Sequence, residues 1–259
     1  MRLPNQYRRN RFKIRDTGRA AIFLMPLLLL WASIASAQAV GTVQTYAGSV
    51  TLERAAHTVA VVTGLGVLRG DRFTTGPNGR LVILLNDQST LDLNESSALV
   101  LDDHVLGANG QASTRVSVLS GLLRSVVHVT AGGPLPNFEV HTPNAIAAAR
   151  GTDFDTAYHQ NTHRTGYPNC LNFTDVFTRE GKVQVTGLGS PGTQVLLNPN
   201  QSTTVACDKA ALPPNPGMGA VALYATGTAA VLEGAIIGGY AGAGGFSNPP
   251  SKPSVSPAR

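Results

Sequence analysis

The stretch Gly64–Leu93, GLGVLRGDRFTTGPNGRLVILLNDQSTLDL, decides how the fold is read. A Gly-Asp turn opens a short strand at Arg72–Thr75, and Gly76-Pro77-Asn78-Gly79 turns the chain into an apolar strand, Leu81–Leu85. Asn86-Asp87-Gln88-Ser89 turns it again into the alternating Thr90-Leu91-Asp92-Leu93. Glycine and asparagine tolerate the positive φ of tight turns, and proline pre-sets φ at a corner. The segments between are short and rich in strand formers. They read as antiparallel β-structure, and no reactive constellation sits among them.

Outward from this stretch the same texture runs from Val40 to Ala206. Apolar and polar residues alternate in Ser49–Glu53, Leu91–Leu93, Leu99–Leu101 and Lys182–Thr186, the period of a half-buried strand. Turn signals recur every eight to twelve residues or so, the spacing of a sandwich, roll or β-solenoid. Gly48, Gly121 and Gly181 each open a similar apolar alternation, which favours either stacked, solenoid-like repeats or hairpins that reuse one turn chemistry. The expected class is all-β: a short-stranded β-sandwich or β-roll, with solenoid-like stacking as a variant. Phe138–Phe154, FEVHTPNAIAAARGTDF, is a second dense stretch. Phe138–Thr142 and Thr152–Tyr158 read as strands. Ala145–Arg150 stays open, because its alanines favour helix while Pro143 and Gly151 leave room only for a short element.

The formal charge of +5 belongs to the first residues. Arg2, Arg8, Arg9, Arg11, Lys13, Arg15 and Arg19 precede an apolar run, Ala20–Ile34, and the small-residue pattern Ala35-Ser36-Ala37. That order describes a secretory signal peptide over residues 1–37; the apolar run is shorter than the roughly 20 residues of a membrane span. From Gln38 onward thirteen basic residues face fourteen acidic ones, so no basic patch argues for nucleic acid. The expected location is periplasmic or extracellular. Export makes Cys170 and Cys207, the only cysteines, candidates for a disulfide; the alternative is two separate buried thiols.

Motifs that carry chemistry are few. Asp155, His159 and His163 would suit a metal only on a helix, and the stretch reads as a loop. Arg69-Gly70-Asp71 copies an adhesion tripeptide but is accounted for as a turn. The sequence contains no G-x-S-x-G elbow, no H-E-x-x-H and no phosphate-cradling glycine loop. The expectation is a non-enzymatic chain with no catalytic residues, no cofactor and no metal.

The ordered motifs resemble those of the FecR domain, a periplasmic β-rich module. Leu68, Gly70, Asp71, Thr75 and Gly76 stand at its L-x-x-G-D-x-x-x-T-G signature. Phe138, Val140, Thr142 and Pro143 stand at F-x-V-x-T-P, and Arg150, Gly151, Thr152 and Phe154 at R-G-T-x-F. One departure is Gln88, where the family's D-G-S-like turn carries glycine. The resemblance spans about Val40 to Val205. It implies an extracytoplasmic recognition module; the best-known members add a membrane span and a cytosolic segment that binds a sigma factor. Only nineteen residues precede the apolar leader here, which speaks against that segment.

The domain expectation is therefore a signal peptide over 1–37, a FecR-like β domain over 38–207 and a linker over 208–216. An apolar Gly/Ala-rich segment follows over 217–246, and a disordered Pro/Ser tail over 247–259. In the segment Ala230, Gly234, Gly238 and Gly242 recur every four residues, a small-residue stripe if helical and a route to membrane or self-association. The functional expectation is a binding and signal-relay module for an envelope protein or ligand, contacting it through loops or an edge strand. A structural or adhesive surface protein assembling through the Gly/Ala-rich segment is the alternative.

Overall fold

The computed structural model describes residues 38–221. The expected leader, and everything from residue 222 onward, lie outside the described residues.

The described chain is built of strands. They are β1 (Gly41–Ala47), β2 (Val50–Arg54), β3 (His57–Val59), β4 (Gly66–Val67), β5 (Arg72–Thr75) and β6 (Arg80–Leu85). Next come β7 (Thr90–Leu93), β8 (Ala98–Leu106), β9 (Ala112–Val126), β10 (Asn137–His141), β11 (Ala145–Ala149) and β12 (Asp153–His159). The last are β13 (Phe173–Glu180), β14 (Val183–Gly187), β15 (Gln194–Leu197), β16 (Gln201–Ala206) and β17 (Asn215–Pro216). A 3-10 turn, Gly219–Val221, ends the described chain.

These strands make two sheets that share one strand. The front sheet runs β4-β1-β6-β7-β9-β12-β13-β16-β17, antiparallel throughout. The back sheet runs β3-β2-β5-β8-β9-β10-β11-β14-β15, antiparallel except for the β9–β10 pair. Residues 112–120 of β9 pair in the back sheet and residues 121–126 in the front. The crossing falls at Gly121, whose φ is +80° and whose missing Cβ would lie 2.0 Å from Ser97 Oγ. Only glycine meets both conditions there. Gly48 and Gly181 also sit at positive φ where the chain leaves the front sheet for the back. The repeated glycines are thus corners of a two-sheet sandwich.

Alternation puts one face of each strand between the sheets. Val43, Ile83, Leu91, Leu123 and Val176 come from the front; Leu52, Phe73, Leu99, Val116 and Val140 come from the back, all in one core. The alanine run Ala145–Ala149 is a strand, its odd positions buried. Helix propensity loses here because neighbours on both sides bond the backbone. Ala149 lies beside Phe138 in register, and the small side chain leaves room for that ring to meet Phe154 edge-on at 6.2 Å.

A third layer covers part of the front sheet. Nearly every residue of β12 and β13 is buried, on both faces. Met218 and Val221 pack on Leu122, Ala157 and Phe177, while Tyr167 and Cys170 cover Phe173. The Cys170–Cys207 disulfide ties this covering loop to the end of β16. The Pro-rich stretch after Cys207 also lies on the sheet: Ala211 is buried and bridges Val205, and β17 pairs with Gln201–Ser202.

Candidate functional site

The first signature builds scaffold. Asp71 is fully buried. It receives Arg54 Nε at 2.7 Å, Arg54 Nη2 at 2.6 Å and the Leu68 amide at 2.8 Å. A two-pronged guanidinium pair of this kind satisfies a carboxylate that burial would otherwise penalise. Gly70, at φ +82°, donates its amide to Leu101 O. The burial of Asp71 also removes the Arg69-Gly70-Asp71 tripeptide from presentation. Thr75 Oγ1 donates to Asn94 O and accepts the Ser97 amide, and the Gly76 amide bonds Ser49 O.

The second signature joins the sheets. Phe138 and Val140 come from the back and Phe154 from the front, all fully buried. Thr142 Oγ1 meets Thr174 Oγ1 at 2.7 Å and accepts the Ala145 amide. Asn144 reaches Thr174, and its Nδ2 donates to Val205 O. Thr152 Oγ1 bonds Lys182 O, and Gly151 turns at φ +75°. Pro143 and Arg150 are exposed.

On the outer face of the front sheet, partly beneath the third layer, lies a charged row of which only Asp155 and His159 stand out in the sequence. Arg80 pairs with Asp92, Arg124 with Asp153 and Arg179 with Asp155. Asp175, 1% exposed, gathers Arg164, His159 at 2.8 Å and Thr204. Burial by itself would raise the Asp175 pKa, but hydrogen bonds from Arg164 and His159 and their charges hold it well below the ordinary aspartate value. Asp155 is the reverse: burial outweighs Arg179 and lifts its pKa to about 6. His159 is thus half of a buried pair, while His163 is exposed. Among the described residues no group of three or more His, Cys, Asp or Glu side chains is placed to hold a metal ion. Nothing local in the sequence announces the third layer that buries the outward positions of β12 and β13.

One end of the sandwich has a different character. The turn Asn86–Gln88 from the front sheet, the tip of the β8–β9 hairpin and the connection 127–136 surround an open pocket of about 240 Å3. Its walls include Leu106, Pro134 and Pro136, and its polar groups include Asp87, Gln88 and His128. Of the eleven exposed large apolar side chains among the described residues, Val105, Leu106, Val126, Val129 and Leu135 belong to these or adjoining segments. Gln88 holds φ at +70°, in the left-handed region that a long side chain enters at a cost of about 1–2 kcal/mol. Asp87 braces this turn, Oδ1 accepting the Ser89 amide at 3.0 Å and Oδ2 the Ser89 hydroxyl at 2.9 Å. Ser89 Oγ in turn accepts the His128 amide at 3.1 Å.

Residues 71–184 match the family model described as FecR protein. This segment is a FecR domain. Its limits fall at the start of β5 and within β14, so the matched FecR segment leaves β1 to β4 and β15 to β17 outside. Those strands pair directly with it, β2 on β5, β1 on β6, β15 on β14 and β16 on β13. The FecR domain therefore shares its two sheets with flanking strands. Two crystal structures of a candidate anti-sigma factor from Parabacteroides distasonis ATCC 8503 are similar at 18% identity and a TM-score of 0.42. The likeness covers 56% of this chain and 59% of that one, under two thirds of its length. No curated protein matches the chain in sequence. Among the described residues no helix is long and apolar enough to cross a membrane.

Proposed function

We propose that this chain is an exported, non-enzymatic binding and relay module, and that it recognises an envelope protein through the pocketed end of its sandwich. The observation that carries the reading is the pocket walled by Leu106, Pro134 and Pro136, with the exposed Val129 and Leu135 on the same 127–136 connection. Elsewhere the FecR signature side chains are largely used up in holding the fold. Exposed apolar clusters rimmed by polar groups mark interaction sites. The size of the pocket argues for a protein partner. Small-molecule sites run from roughly 300 to 1,000 Å3, and 240 Å3 suits a side chain or two. The leader pattern and the disulfide support an oxidising, extracytoplasmic location.

Photo-crosslinking in intact cells tests this. A photoreactive residue at Leu106 or Leu135 is expected to trap one envelope protein that the same residue at Thr58, on the edge strand β3, does not trap. Equal capture from both places, or recovery of the chain in the cytoplasm, would overturn the reading. Assembly through residues 217–246 is the competing reading, and truncation after Val221 separates the two. That cut keeps the Met218–Val221 contacts on the front sheet. Loss of oligomers on size-exclusion chromatography would favour assembly, whereas an unchanged monomer favours relay.

A further inference from the structure

Asp87 is the one Asp, Glu, Lys or Arg side chain lining the pocket, beside the histidine His128. Its carboxylate is already aimed: the Ser89 amide and hydroxyl each take one oxygen, and Ser89 is fully buried. Each carboxylate oxygen keeps a second lone pair, so a forked donor arriving from the open side can still be met. The walls supplied by Leu106, Pro134 and Pro136 suit an aliphatic stem.

A second observation comes from the same hairpin. His104 faces the same side of the hairpin as Leu106, two residues further in, and is paired in register with Thr114 as Leu106 is with Ala112. It is 4% exposed, its Nδ1 meets Thr114 Oγ1 at 2.8 Å, and its Nε2 has no hydrogen-bond partner. Asp87 and Asp103 both act on it electrostatically. Buried polar atoms are nearly always satisfied, so the unfilled Nε2 two residues from the pocket-lining Leu106 points to a missing polar partner. Gln88 holds a strained backbone at the mouth, and such strain concentrates where a ligand is gripped.

Resting on the partner-binding reading above, we propose that the pocket is the anchor point for a single cationic side chain, arginine in the first place, on the partner protein. The guanidinium pairs with Asp87 in two-pronged fashion, and its methylene stem lies along Leu106 and the two prolines. Partner selection then depends on one basic residue flanked by apolar ones, matching the Leu106, Pro134 and Pro136 walls.

The test uses N-acetyl-arginine methylamide and its neutral isostere N-acetyl-citrulline methylamide as probes. Binding to the full mature chain is followed by the imidazole NMR signals of His104 and His128. The arginine probe is expected to shift both signals saturably in the millimolar range, at least about tenfold more tightly than citrulline. Raising salt from about 0.05 to about 0.5 M should weaken it several-fold. Asp87→Asn should abolish the preference, and the salt series on the unaltered chain keeps the test decisive if that variant folds poorly. Equal affinity for both probes, or no saturable shift, overturns the cationic anchor. If crosslinking from Leu106 succeeds while the arginine probe fails, only this inference falls. If the probe binds while Leu106 captures nothing, the partner-binding reading falls instead.

Discussion

At Asp155 a single carboxyl group sets a pH dependence for the whole fold. Its folded pKa of about 6 lies above the roughly 3.9 of a free aspartate, so folding favours the protonated form. The contribution is complete below about pH 4 and is lost as pH rises towards about 6. The stability difference between the native chain and Asp155→Asn should therefore move in the variant's favour by about 2–3 kcal/mol between pH 4 and 7. Urea titrations at several pH values check this, and a flat difference would refute it. Asp175 acts oppositely, since its depressed pKa withdraws stability only as pH falls below the ordinary aspartate range. Gln88 offers a second residue-scale test. At φ +70°, glycine relieves strain of about 1–2 kcal/mol and loses part of the gain to unfolded-chain entropy. Gln88→Gly should stabilise by about 0.5–1 kcal/mol, read as a higher urea midpoint at unchanged slope. The departure from the D-G-S pattern is visible in the sequence. That the backbone nevertheless keeps the glycine geometry is not, because the turn is fixed by Asp87 and Ser89.

Among the elements, the β2–β3 hairpin turns on two alanines. Ala55 and Ala56 sit at φ +48° and +64° between Arg54 and His57, which pair across the hairpin. Two-residue turns of this hand favour Asn-Gly. The Ala-Ala sequence carries no turn signal, so the hairpin is not legible there. Its geometry comes from the pairing of Leu52 with Val59 and of β2 with β5. The double substitution Ala55→Asn with Ala56→Gly should raise stability by about 1–2 kcal/mol, and no change in denaturation midpoint would show the turn to be relaxed. Elsewhere the elements are legible where turn chemistry is strong. Gly76–Gly79 and Asn86–Ser89 bracket β6 as read, while Ala145–Arg150 is undecidable until its neighbours in the sheet are known.

For the molecule as a whole, the disulfide joins the third layer to the sandwich. Its closed loop spans 37 residues, which in the chain-entropy view gives at most about 3–4 kcal/mol. Replacing both cysteines by serine should destabilise by up to that amount. Because Arg164 and the loop 160–172 cover Asp175 and Phe173, hydrogen exchange should rise first at Thr174 and Ala206, ahead of the core amides of β6 and β9. Uniform exchange across both regions would show the layer and the core to open together.

Read without coordinates, the residues establish the all-β class, the alternation that assigns each strand a buried face and the two family signatures, and they make the only two cysteines candidates for a bond. Those follow from local chemistry: periodicity, turn residues and the redox setting implied by a leader. Folding in three dimensions alone decided that β9 belongs to both sheets, that Asp155, His159 and Asp175 lie beneath a third layer, and that Asp87, His128 and Leu106 meet at one end. Such facts depend on which strands become neighbours across many residues. Two-residue alternation carries no record of that, because it marks a face as inside or outside without saying what will cover it.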